Sequence, residues 1–171
     1  MDNLDLESKR RDIHAFGLKI FNEIINTPKE IRDDDKERTG IMILVREVNS
    51  RNLIFVKILE PSEATNYFVV EKAVRSVTLG QATSQNSQNE EEFKFAGSIT
   101  IDLYNGKKYQ VSVSGLQAHE DVVVAILVMA KTFDCTAYNV VENIIDFDGE
   151  LPSFLNDRNS FLNKIMREAF I

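Results

Sequence analysis

Residues 112–130, Ser112 to Ala130, read "SVSGLQAHEDVVVAILVMA" and pass from small and polar residues into an unbroken apolar run. The run from Val122 to Ala130 is far shorter than the roughly 20 residues a membrane-spanning helix needs. It lies in a helix predicted from about Ala118 to Phe133, apolar on every side, and such a helix has to be covered on every side. A sheet covers one side. The C-terminal segment or a second subunit has to cover the other. Before the helix, Ser112, Ser114 and Gly115 allow a strand to end and turn tightly. Glu120 and Asp121 fall in the first helical turn, where each carboxylate meets the positive end of the helix dipole, worth about 0.3–1 kcal/mol. That explains the acids without a substrate, although His119 beside them is also a residue for general-base or metal-binding chemistry.

The strand feeding this helix belongs to the clearest pattern in the chain. Phe93, Phe95, Gly97, Ile99, Ile101 and Leu103 alternate with mostly polar residues, the period of a half-buried strand. Asn105-Gly106 marks a hairpin turn, and Tyr109, Val111 and Val113 alternate back along the partner strand. Upstream, "IMILVREV" and "LIFVKIL" are rich in β-branched residues and read as two more strands joined by "NSRN".

Helices flank these hairpins. Ile13, Phe16, Ile20, Phe21, Ile24 and Ile25 form one stripe on a helix from near Leu6 to Asn26, stopped by Pro28. A second helix is predicted from about Ser62 to Leu79, with Tyr67, Val70, Val74 and Val77 as its inner stripe and Gly80 as its stop. "KEIRDDDKERTG" reads as a solvated charged loop, "QATSQNSQNEEE" as a flexible polar one. "AYNVVENIIDF" is apolar but ambiguous, "DGELPSFLNDRN" is a loop, and Phe161, Leu162, Ile165, Met166 and Phe170 suggest a last amphipathic helix. The order α-β-β-α-β-β-α, with a C-terminal helical extension, predicts an α+β fold: an antiparallel sheet flanked by helices. Residues 1–134 form the expected domain, and 135–171 an extension packing on it or on a partner.

A chain of 171 residues suits one such domain. Its net charge of −7 argues against nucleic acid and anionic membrane surfaces, which attract basic faces. "MDNLDLESKRR" has no apolar core of the kind a secretory signal carries, and Cys135 is the chain's one cysteine. A cytoplasmic location is expected. No disulfide, cysteine-rich zinc site or multi-histidine site fits this composition, so neither a metal centre nor a catalytic set is predicted.

Four residues are candidate ligand-binding groups. His14 stands beside the apolar stripe of the first helix, where it either flanks the core or serves as an axial haem ligand. Lys72, among apolar residues, either extends its ammonium to water or binds an anion or carbonyl. Ser114 has no paired base in a recognisable motif. His119 completes the set.

Four stretches together carry a resemblance: "HAFGLKIFNEI", "LIFVKILEPSEATNYFVVEKAVRSVTLGQATS", "FKFAGSITIDL" and "VSVSGLQAHEDVVVAIL". In order and spacing they resemble the GlcG/HbpS-type superfamily, often described as haem-binding or haem-degrading, and its small cytosolic branch in particular. The chain departs from that pattern at Ala96-Gly97, where a glycine pair is usual, at Val122, where histidine often follows the aspartate, and at His14, where an aspartate is common. The resemblance implies a profilin-like domain that forms dimers and larger rings. The all-apolar third helix and the lack of a catalytic set, this resemblance with His14, and the acidity of the chain each suggest a function. The leading one is a non-catalytic homo-oligomeric binding or scaffold domain without a cofactor, using Val123, Leu127, Phe161 and Ile165 as an oligomer or partner surface. The alternatives are a haem-binding or haem-degrading protein, and an assembly chaperone or adaptor whose C-terminal extension meets a protein partner.

Overall fold

The computed structural model describes residues 4–103, 105–148 and 161–169. Helix α1 spans Leu6–Ile25, and Asp5 caps it by accepting the Glu7 amide. A single helical turn, α2, follows at Lys29–Arg32. Strands β1 (Gly40–Glu47) and β2 (Leu53–Leu59) form a hairpin, and α3 runs from Ala64 to Thr78. Strands β3 (Ser98–Asp102) and β4 (Lys108–Ser114) form the second hairpin. Then come α4 (Ala118–Thr132), α5 (Ala137–Asp148) and α6 (Phe161–Glu168). The predicted loop "DGELPSFLNDRN" and Phe170 lie almost wholly outside the described residues.

The four strands pair antiparallel in the order β2-β1-β4-β3. Alternation divides each strand between two faces. Ile43 pairs with Val56 and Val113, and Val111 with Ile99; these residues join the main core beneath α1 and α4. The opposite face carries Met42, Leu44, Gln110 and Ser112, and α3 packs there. The fold is therefore the expected α+β arrangement, an antiparallel sheet with helices on both faces. Helix α1 approaches its face closely: a Cβ on Gly17 would stand 2.5 Å from the Ile58 side chain.

Every residue from Val122 to Ala130 is fully buried. The sheet lies on one side of this segment, and α1, α5 and α6 of the same chain pack around the remainder. The cover that an all-apolar helix requires is thus internal. Val123 and Leu127, expected at a partner surface, are instead core residues with no exposure, Ile165 is also buried, and Phe161 is half-buried against the core.

Three further expectations need correction. The inner face of α3 is Thr65, Val69, Lys72, Ala73 and Ser76, while Tyr67, Val70 and Val74 point to solvent, Tyr67 at 67% exposure. The cause lies across the interface. The sheet face beneath α3 presents Gln110, Ser98 and Ser112, whose polar groups need partners once buried. Gln110 Nε2 donates to the Ala73 carbonyl at 2.9 Å, and the Ser112 hydroxyl to the Val69 carbonyl at 2.7 Å.

Strand β3 starts at Ser98, not Phe93: Phe93 takes φ +57 at the end of a 3-10 turn over Glu90–Glu92 and is 67% exposed. The period-two pattern thus runs past the end of the true pairing. The two polar loops are also less free than their composition suggests. The Ser98 amide donates to the Ser84 hydroxyl at 2.9 Å and the Thr100 amide to the Ala82 carbonyl at 2.7 Å, which fixes the start of one loop against β3. In the other, Arg32 and Asp34 are buried.

Candidate functional site

Where β4 turns into α4, the chain builds a cleft of about 830 Å³. Its walls come from the 33–38 segment, the first half of α3, the 88–95 segment and the turn from Ser114 to Asp121. Three of the candidate residues, Lys72, Ser114 and His119, meet there although they come from different elements. His14 does not join them: it sits exposed on the outer side of α1.

The floor of the cleft is a buried ion pair. Lys72 Nζ lies 2.8 Å from Asp121 Oδ2, and it also donates to the Val113 carbonyl at 2.9 Å. The Leu116 amide donates to Asp121 Oδ1 at 3.1 Å. Lys72 does not reach out to water; it is 2% exposed. Burial pushes the Asp121 carboxyl above its ordinary value, against the pull of the Lys72 ammonium and the Leu116 amide. Gly97 makes room for the pair. A Cβ there would stand 2.8 Å from Lys72 Nζ and 2.5 Å from the Val113 oxygen, and φ is +140.

Glu120 has a different partner. Arg32 grips it with two bonds of 2.8 Å, from Nε to Oε1 and from Nη2 to Oε2. Arg32 Nη2 also reaches Asp34 Oδ2 at 3.1 Å, and Asp34 accepts Arg38 Nε at 2.8 Å. Burial by itself would raise the Asp34 carboxyl. The hydrogen bonds from Arg38 and the Lys36 amide, with the charges of Arg38 and Arg32, outweigh that and hold it below its ordinary value. The Gln117 side chain donates to the Arg32 carbonyl at 2.8 Å, and the Gln117 amide to Glu120 Oε2 at 3.1 Å.

The two acids at the helix start thus do more than meet a dipole. One holds α3, the other holds the 32–38 segment, and both face inward. His119, the residue just before them, lies at the wall of the cleft. Arg32, Asp34 and Arg38 escaped the sequence reading because nothing local distinguishes a buried charge from a solvated one. The small and polar residues repeating along β4 were a usable signal, since they mark a sheet face that will not accept a purely apolar helix.

Opposite the turn, the Phe68 and Phe95 rings meet edge to face at 5.3 Å and give the cleft an aromatic wall. Arg75 holds that wall together by donating to the carbonyls of Ser87 and Phe95. Lys36 and Arg38 supply cations at the other side. Among the described residues, no group of three or more His, Cys, Asp or Glu side chains is placed to hold a bare metal ion. Among them, too, no helix is long and apolar enough to cross a membrane.

No family model matches the chain, and no curated protein matches it. Solved structures do. The chain is similar to a protein described as the PduOC:heme complex, with 11% identity and a TM-score of 0.54, over 77% of this chain and 94% of that one. A second is the Klebsiella pneumoniae protein ORFY, described under DUF336, with 15% identity and a TM-score of 0.45, over 70% of this chain and 88% of that one. The first likeness establishes a shared fold. That shared fold is the helix-flanked antiparallel α+β arrangement expected from the sequence.

Proposed function

We propose that this chain is a haem-binding domain and that the cleft at the start of α4 takes the haem, with His119 as the iron ligand. The observation that carries this reading is that the cleft, about 830 Å³, brings one histidine to an aromatic wall, with Lys36 and Arg38 at its side among the acids Asp33, Asp34, Asp35 and Glu90 and with the Lys72–Asp121 pair at its floor. A lone imidazole is a poor site for a bare ion. It is enough for haem, whose macrocycle brings four nitrogen donors of its own. Phe68 and Phe95, at 83° to each other, would meet the ring one by its face and the other by its edge, and Lys36 and Arg38 would meet its carboxylates. Bound haem would supply an iron able to bind a small ligand or exchange an electron. The likeness to a protein solved with haem supports the reading, and so does the family resemblance of the motifs.

Haemin titration tests it. The wild-type chain is expected to shift the Soret band with saturable binding, His119→Ala to lose or alter that shift, and His14→Ala to leave it unchanged. No shift in the wild type, or the same shift in His119→Ala, overturns the reading.

A second reading, a homo-oligomeric binding domain, is supported by a different observation. Tyr67, Val70 and Val74 on α3 and Leu53 and Phe55 on β2 are exposed large apolar side chains. The β2 pair points to the face of the sheet that carries α3, since Ile54 and Val56 point the other way into the main core. Apolar surface of that kind is a common mark of association. Light scattering decides it: a native mass at the 19.5 kDa of one chain removes this reading.

A further inference from the structure

We propose that the buried Lys72–Asp121 pair is a positioning device for His119: it sets the turn that presents the imidazole to the cleft, and it acts through that turn. The inference rests on the haem reading of the cleft for its consequence, but its physical content lies in the ligand-free chain. Asp121 ties three elements at one point. Its Oδ2 takes the Lys72 ammonium of α3 at 2.8 Å, and its Oδ1 takes the Leu116 amide at 3.1 Å. Lys72 in turn donates to the Val113 carbonyl at the end of β4. Both ends of the turn from Val113 to Asp121 are therefore fastened to the same ammonium–carboxylate pair. His119 lies inside that closed loop.

Stability alone is a poor reason for such a pair. Two charges taken out of water regain little net energy from each other, and well-packed apolar residues of similar volume often serve as well or better. What apolar residues do not supply is direction. A carboxylate with one oxygen on an ammonium and the other on a backbone amide admits one arrangement of the turn. The space left for it by Gly97, where a Cβ would collide with Lys72 Nζ and Asp121 Cβ, fits a packing built around the pair. Groups behind a metal ligand that fix its orientation typically change metal affinity 10–100-fold when removed.

The test uses the full chain and the double variant Lys72→Met/Asp121→Leu, which keeps volume and removes both charges. Lys72→Met alone leaves a buried unpaired carboxylate and serves as the comparison for misfolding. Three readouts are taken: urea unfolding, hydrogen exchange of the Leu116 amide, and the NMR signals of the His119 ring, all without ligand. The expected result is a double variant with wild-type resistance to urea, a Leu116 amide that exchanges about tenfold faster for want of its acceptor, and displaced His119 ring signals. With haemin, its affinity falls about 10–100-fold and its Soret band differs from wild type. A folded double variant with a protected Leu116 amide and unchanged His119 signals overturns the proposal. So does a double variant that does not fold, since the pair would then serve the fold itself. A wild-type chain that ignores haemin overturns the haem reading, while the ligand-free readouts still decide the positioning role.

Discussion

Lys72 and Asp121, 49 residues apart in the chain, meet in an ion pair 2.8 Å long with each side chain only 2% exposed. The relationship joins α3, the end of β4 and the first turn of α4. It makes the cleft wall and the helix start one structure.

Removing one partner strands the other. Lys72→Met is expected to destabilise the chain by about 3–5 kcal/mol, because it leaves an uncompensated buried carboxylate. The double variant Lys72→Met/Asp121→Leu should recover most of that loss. Urea unfolding of the two variants measures both, and equal losses would show that the paired charges contribute net stability.

Acid should act on two buried carboxylates with opposite sign. Asp34 has a folded-state value below its ordinary 3.8, so the folded chain binds fewer protons than the unfolded one between those two values. Its contribution is complete above the ordinary value and is lost as pH falls through the folded one. Asp121 is shifted upward, so its contribution is complete below the ordinary 3.8 and falls as pH rises through the folded value. Asp34→Asn is expected to flatten the acid limb of a stability–pH curve, and Asp121→Asn the limb above it. Urea midpoints across acidic pH check the assignment; a variant curve parallel to wild type refutes it for that residue.

Gly97 has no room to grow. Gly97→Ala puts a Cβ 2.5 Å from the Val113 oxygen on a backbone at φ +140. A strained backbone conformation of this type costs a side chain about 1–3 kcal/mol before any collision is counted. The expected outcome is a clear fall in melting temperature, together with faster exchange at Leu116. An unchanged melting temperature would show that the surroundings yield.

The orientation of α3 can be read from its surface. Val74 is exposed and Ala73 fully buried. Val74→Lys should leave stability within about 0.5 kcal/mol, whereas Ala73→Leu overpacks the sheet contact and should cost about 1–3 kcal/mol. The reverse ranking in thermal melts would mean that the predicted stripe faces inward after all.

The opposite ranking of the α3 faces shows where local pattern stops being informative. Tyr67, Val70, Val74 and Val77 have the spacing of a core stripe, yet Tyr67, Val70 and Val74 lie outside. Periodicity identifies a face of a helix; it does not say what that face will meet. In α1 the partner is the Ile43 and Ile58 side of the sheet, so the apolar stripe and the buried stripe coincide. Beneath α3 the sheet offers Gln110, Ser98 and Ser112, and Gln110 spends its amide nitrogen on Ala73, Ser76, Ser98 and Thr100. Ser76 on the inner face answers that demand by bonding Ser98 and Gln110, as a tyrosine or valine stripe would not.

The sequence by itself determined the four strands, the helices α1, α3, α4 and α6 (but neither α2 nor α5), their order, the antiparallel hairpins and the need to cover the run from Val122 to Ala130. These follow from periods of two and 3.6 residues and from apolar burial, which short stretches of chain carry complete. Only the tertiary structure decided which charges are buried, which face of α3 turns inward, and that Lys72, Ser114 and His119 share a cleft that His14 does not reach. The reason is range. Arg32 and Glu120 are 88 residues apart, and the energy that fixes them exists only once both have left water.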